Sequence, residues 1–187
     1  MSTTRLYREY LIDETATLNF GARLAKATFS RPLYRLPAVF GHSADAPATR
    51  AHGSTPVTGI ATTGGFIHLN GDLGVGKTTL ARGLLRGFGF TGAVKSPTYT
   101  LVEAYEFEQC SIYHLDFYRL EFAREVMVLG IDGYFQEKNL CLVEWAENGR
   151  GYIAAPDLII NLSDTGTGRD LVCQSRTTKG ETILKRL

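Results

Sequence analysis

Residues 66–78 read Phe66-Ile67-His68-Leu69-Asn70-Gly71-Asp72-Leu73-Gly74-Val75-Gly76-Lys77-Thr78. The second half has the spacing G-x-x-x-x-G-K-T of a phosphate-binding loop. Gly71, Gly74 and Gly76 allow a tight turn that brings backbone N–H groups against phosphate oxygens, where a Cβ would obstruct them. The first half is a short apolar run that reads as a buried strand. After the loop, Leu80, Ala81, Leu84, Leu85 and Phe88 recur at helical spacing, and Gly87 and Gly89 end the helix. Strand, glycine loop and helix together form the context that gives the motif its meaning. The helix N-terminus adds its dipole, Lys77 a compact positive charge for the β- and γ-phosphates, and Thr78 a hard oxygen suited to Mg²⁺.

The 187 residues suffice for one domain, 1–187, with a sizeable core. A net charge of +1 argues against strong non-specific attraction to nucleic acid or membrane. Cys110, Cys141 and Cys173 are widely scattered and have neither a disulfide framework nor metal-ligand spacing, so reduced, buried thiols are expected. No apolar run approaches the length of a membrane span, and the N-terminal residues lack the apolar core of a secretory signal. A cytoplasmic location without membrane attachment is the expectation.

Around the loop, the pattern predicts a helix from about Asp13 to Thr28, with Asp13 as N-cap and Glu14 and Thr15 in the first turn. From about 29 to 65 the pattern dissolves into a stretch with four prolines and much Ala, Ser, Thr and Gly, expected to be a flexible insert. Ala93–Glu103 begins as a turn and ends with strand-like alternation, Ser111–Asp116 reads as the second strand of a hairpin with it, Glu121–Leu129 as a helix and Leu140–Trp145 as a buried strand. Asp157–Leu162, Asp170–Ser175 and Thr182–Leu187 read as strands, with the turn Thr165-Gly166-Thr167-Gly168 between the first two. The fold class is α/β: a P-loop NTPase-like three-layer fold with a mixed, partly parallel central sheet and C-terminal antiparallel strands.

A P-loop NTPase needs a carboxylate near Mg²⁺ and often one that orients or deprotonates the attacking water. Asp116 and Glu144 both close apolar strands, the end where ligands of α/β sheets lie. Spacing alone does not decide which holds the metal. Ser96, Thr98 and Thr100 occupy the place of a γ-phosphate-sensing switch. His114 has no partner motif and reads as structural, and Trp145 as core or as an aromatic lid. No Asn-Lys-x-Asp sequence is present, which argues against a signalling GTPase. Two other functions are compatible with these residues. One is a small-molecule or nucleoside kinase using Asp116 as base and Arg119, Arg124 or Arg169 as lid residues. The other is a nucleotide-gated binding module without turnover.

Five blocks carry a resemblance: Leu69 to Gly83, Val94 to Glu103 (VKSPTYTLVE), His114 to Leu120 (HLDFYRL), Gly130 to Phe135 and Leu142 to Trp145 (LVEW). In order and spacing the chain resembles the TsaE (YjeE) family, bacterial P-loop ATPases of tRNA threonylcarbamoyladenosine synthesis. The resemblance spans nearly the whole chain outside the insert. It implies a slow Mg²⁺-dependent ATPase that works with the TsaD–TsaB heterodimer, meets tRNA indirectly through that complex, and resets it between turnovers. By resemblance, ATP contacts fall on Leu73, Gly74, Val75, Gly76, Lys77, Thr78 and Thr79, with further contacts at Glu14, Thr167 and Arg169. The Mg²⁺ ligands fall on Thr78 and Glu144, and the water-orienting carboxylate on Asp116; Lys77, Asp116 and Glu144 are the catalytic set. The insert departs from the family pattern and puts the nearby docking surface in question.

Overall fold

The computed structural model describes residues 4–29, 64–108, 110–136 and 138–187. Apart from its ends, the expected insert at 29–65 lies outside the described residues. Seven strands form one sheet: β1 (Leu6–Leu11), β2 (Gly65–Asn70), β3 (Val102–Glu106), β4 (Ser111–Asp116), β5 (Leu140–Glu144), β6 (Leu158–Asp164) and β7 (Arg169–Ser175), in the order β1-β7-β6-β2-β5-β4-β3. The four central strands β6-β2-β5-β4 run parallel, and β3, β7 and β1 add antiparallel pairings at the two sides. This is the mixed sheet expected from the sequence.

The layers follow from side-chain alternation. Leu140 and Leu142 of β5 join the core beneath α1 (Glu14–Ala27), α2 (Lys77–Gly87) and α3 (Thr178–Leu184). Cys141 and Val143 face the opposite cluster, with Val126, Ile131 and Ala146 from the 3-10 helices at Ala123–Leu129, Ile131–Gly133 and Ala146–Gly149. A central parallel strand is covered on both faces, which is why LCLVE is buried at every position. Asp13 caps α1, its carboxylate accepting from the Ala16 N–H at 2.7 Å. All three cysteines are buried. No described helix is long and apolar enough to cross a membrane.

Helices α1 and α2 cross at backbone contact. A Cβ at Gly83 would lie 2.2 Å from the Leu18 carbonyl oxygen, and one at Gly21 would lie 2.3 Å from that of Leu80. This crossing pins α2, whose first turn carries Lys77 and Thr78. Gly83→Val is therefore expected to cost about 3 kcal/mol by overpacking and to lower the melting temperature by about 10 °C. An unchanged melting temperature would show that the helices separate without cost.

Three expectations are corrected. Thr182–Leu187 is not a strand: Thr178–Leu184 is helix α3. The Thr177 hydroxyl accepts from the Gly180 N–H at 3.2 Å, and Gly180, Ile183 and Leu184 bury one helical face. That cap and spacing override the β-branched Thr182 and Ile183. The Glu121–Leu129 helix is a 3-10 helix confined to Ala123–Leu129, stopped by Gly130 at φ 61°. Residues 6–11, for which the pattern predicts no strand, form β1, antiparallel to β7.

His68 lies on β2, where it alternates with Ile67 and Leu69 of the helix-side core. Burial pushes its imidazole down to about 4, against a smaller opposing effect of its hydrogen bond to the Ala154 backbone. Between that value and its ordinary one the unfolded chain binds a proton that the folded chain does not, so stability falls as pH drops from 7 toward 4. Unfolding at pH 7 and pH 5 is expected to differ by about 1–2 kcal/mol through this group. His68→Asn should remove that part of the pH dependence; an identical dependence in the variant would contradict it.

Candidate phosphate-binding site

The C-terminal ends of β2, β4 and β5 meet the N-terminus of α2. Gly71 leaves β2 at φ 136°, so close to β6 that a Cβ would lie 2.3 Å from the Leu162 carbonyl oxygen. Gly76, left-handed at φ 111°, turns the loop into α2. Both conformations strongly favour glycine. Within the loop Lys77 is only 4% exposed. Its Nζ donates to the carbonyls of Gly71 at 2.6 Å and Asp72 at 2.9 Å and lies 4.5 Å from the Trp145 ring centroid. Burial lowers its pKa, while the charges of Glu144 and Asp116 oppose the shift. Among the described residues no carboxylate lies within ion-pair distance of it. The result is a desolvated cation facing two carbonyls and a ring, suited to an incoming anion.

Asp116 and Glu144 are directly opposed in the parallel register of β4 and β5. Both are nearly inaccessible. Their partners differ. Glu144 Oε1 accepts from the Thr78 hydroxyl at 2.9 Å and pairs with His114 Nε2 at 2.8 Å. Asp116 Oδ1 accepts from the Tyr118 N–H at 3.0 Å, and Oδ2 accepts from the hydroxyls of Thr98 at 2.7 Å and Ser96 at 3.1 Å. The switch candidates thus divide: Ser96 and Thr98 hold Asp116, whereas Thr100 bonds Glu103 at 2.9 Å.

One cavity of about 290 Å³ is lined by Leu73, Gly74, Gly76, Lys77, Thr78, Thr79, Asp116 and Glu144, with Ser96, Thr98 and Trp145 completing it. Trp145 follows β5 at φ 56°, packs against the apolar cluster of Cys141 and Val143 and also lines this cavity, its ring tilted against Tyr118. Val75, Glu14, Thr167 and Arg169 do not line the cavity. Val75 is buried, and its carbonyl accepts from Arg169 Nε at 2.6 Å, bracing the loop. Thr167 bonds the Tyr10 hydroxyl at 2.9 Å. Glu14 sits exposed in the first turn of α1, 3.3 Å from Arg82 of α2. Arg119 and Arg124, considered as lid residues, lie over the rings of Tyr99 and Phe122.

The donors suit a hard divalent cation. Because Thr78 gives its proton to Glu144, the lone pairs of its oxygen stay available to a cation. Among the described residues no group of three or more His, Cys, Asp or Glu side chains could hold a metal ion. Thr78 and Glu144 would therefore share Mg²⁺ with phosphate and water oxygens. Sequence reasoning left out the contact between His114 and Glu144. The signal was the alternation His114-Leu115-Asp116, which puts His114 and Asp116 on one face of β4.

Known proteins agree with this architecture. A family model described as threonylcarbamoyl adenosine biosynthesis protein TsaE matches residues 43–171. The tRNA threonylcarbamoyladenosine biosynthesis protein TsaE of Haemophilus influenzae is 45% identical over 119 residues, 64% of this chain and 75% of that protein. Its counterpart from Bacillus subtilis is 45% identical over 87 residues, 46% of this chain, and the match spans about half (54%) of the relative. The crystal structure of YdiB from Bacillus subtilis superposes with a TM-score of 0.67, covering 99% of this chain and 95% of that one; at 24% identity this is a likeness of fold. With the family model spanning more than half of its length, the chain belongs to the TsaE family.

Proposed function

We propose that this chain is a Mg²⁺-dependent ATP hydrolase that serves tRNA threonylcarbamoyladenosine synthesis. The observation that carries the reading is the hydrogen bond from Thr78 to Glu144 beside buried Lys77, with Asp116 opposite Glu144 on the neighbouring strand. The loop amides and Lys77 bind the β- and γ-phosphates. Thr78 and Glu144 hold Mg²⁺, which when bound neutralises charge developing on the phosphates. Asp116, kept in place by Ser96, Thr98 and the Tyr118 N–H, orients a water toward the γ-phosphorus and accepts its proton as ADP leaves. Leu73, Gly74, Val75, Gly76 and Thr79 complete the cradle, and Glu14, Thr167 and Arg169 serve the rest of the nucleotide.

The three arginines considered as lid residues already have partners, Arg119 on the Tyr99 ring, Arg124 on the Phe122 ring and Arg169 on the Val75 carbonyl. Turnover by the chain alone is therefore slow and rises with a partner. The family resemblance supplies the partner, the TsaD–TsaB pair, with tRNA met through that complex in the cytoplasm. Ser96 and Thr98 link the site to Tyr99, a ring 81% exposed. They offer a route by which nucleotide state reaches a partner surface. The test is reconstituted threonylcarbamoylation of tRNA by TsaD–TsaB. Adding this protein with ATP should carry modification past a single turnover of the pair. Equal yields with and without it would contradict the reading.

A further inference from the structure

We propose that His114 is a positioning residue that fixes Glu144 for the divalent cation, an inference that rests on the ATP·Mg²⁺ reading above. His114 lies on β4 in register with Leu142 of β5, two residues before Asp116 and on the same face. Its side chain is fully buried, so packing sets the plane of the ring. Nε2 lies 2.8 Å from Glu144 Oε1. A carboxylate oxygen only accepts, so Nε2 carries the proton and donates it. The same Oε1 also accepts from Thr78. Two donors, one on β4 and one on α2, leave that carboxylate little freedom to rotate. They direct it toward the first turn of α2 and the hydroxyl that would join it on the cation.

The other ring nitrogen gives independent support. Nδ1 is buried with no hydrogen-bond partner. An orphaned buried nitrogen is destabilising, and Ile112 on the same face of the strand belongs to an apolar core. An aliphatic residue at 114 would pack there without that cost. The histidine is intelligible through what Nε2 does. Side chains that orient a ligating carboxylate typically affect metal affinity by about 10-fold or more when removed.

The experiment is calorimetric titration of the full chain with a non-hydrolysable ATP analogue, with and without Mg²⁺, for wild type, His114→Ala and His114→Gln. The wild type should bind more tightly with Mg²⁺. His114→Ala should lose about 10-fold of that gain while keeping its affinity in the absence of the ion. His114→Gln, which returns an N–H near the position of Nε2, should recover most of it. A purely structural role would lower both affinities together or neither, and either pattern overturns the proposal, as does a glutamine variant no better than alanine. Urea unfolding of His114→Gln, Glu144→Gln and the double variant supplies a readout without ligand. Non-additive midpoints are expected, and additive ones overturn the positioning role. A wild type that binds no nucleotide overturns the ATP reading, and the unfolding cycle alone then decides whether His114 holds Glu144.

Discussion

Lys77→Ala should lower phosphate release from ATP by about 100-fold or more, the scale seen when one donor to a developing oxyanion is removed from a preorganised site. The side chain is an ammonium that the fold has already dehydrated. In that setting the attraction of a phosphate is weakly screened. The same burial makes a second, less obvious expectation. Without nucleotide the alanine variant should be no less stable than the wild type, because its loss removes a buried charge that no described carboxylate pairs with at close range. Stabilisation by saturating ATP, seen as a rise in melting temperature, should be present in the wild type and absent in the variant. An alanine variant that retains the ATP-induced rise would show that the phosphates bind elsewhere.

Asp116→Asn should separate catalysis from binding. Asparagine keeps the shape of the side chain and one oxygen to accept from Thr98, Ser96 or the Tyr118 N–H, but it is a poor proton acceptor. Turnover should fall by about 100- to 1,000-fold, the range for loss of a positioned general base. ATP affinity in the presence of Mg²⁺ should change by less than about threefold, since Asp116 does not touch Thr78 or Lys77. Glu144→Gln should behave differently, weakening the dependence on Mg²⁺ because Glu144 carries the bond to Thr78. Initial rates and calorimetry on the two variants distinguish these outcomes. Identical effects of both substitutions on ion dependence would contradict the division of labour between the two carboxylates.

That division was only half legible in the sequence. Both carboxylates announce themselves as acidic residues closing apolar runs, and the loop announces itself through its glycines. Which carboxylate faces Thr78 depends on the strand order, with β5 between β2 and β4, and on a register that brings Asp116 opposite Glu144. Linear spacing carries neither. His114 was hidden for the same reason, since its partner is 30 residues away. Strand β1 escaped because its less exposed set Tyr7, Glu9, Leu11 mixes polar with apolar and its exposed set includes Leu6 and Tyr10. Pairing with β7 makes it a strand. Helix α3 was misread because a seven-residue element offers too few turns for its period to outweigh two β-branched residues. The stretch 30–63 lies outside the described residues. The described residues that flank it sit at the end of the molecule away from the loop: Phe29 packs on Phe88 beyond α2, and Gly65 begins β2.

The most direct measurement is a single turnover of ATP labelled at the γ-phosphate, with the purified chain in excess, following every labelled product with and without Mg²⁺. A nucleotide-gated module would leave the label in ATP, and a kinase would pass it to another molecule. The expected result is label in inorganic phosphate alone, dependent on Mg²⁺ and lost in Asp116→Asn. Label that stays in ATP under all conditions, or that appears on any acceptor other than water, would contradict the reading of this site as a hydrolase.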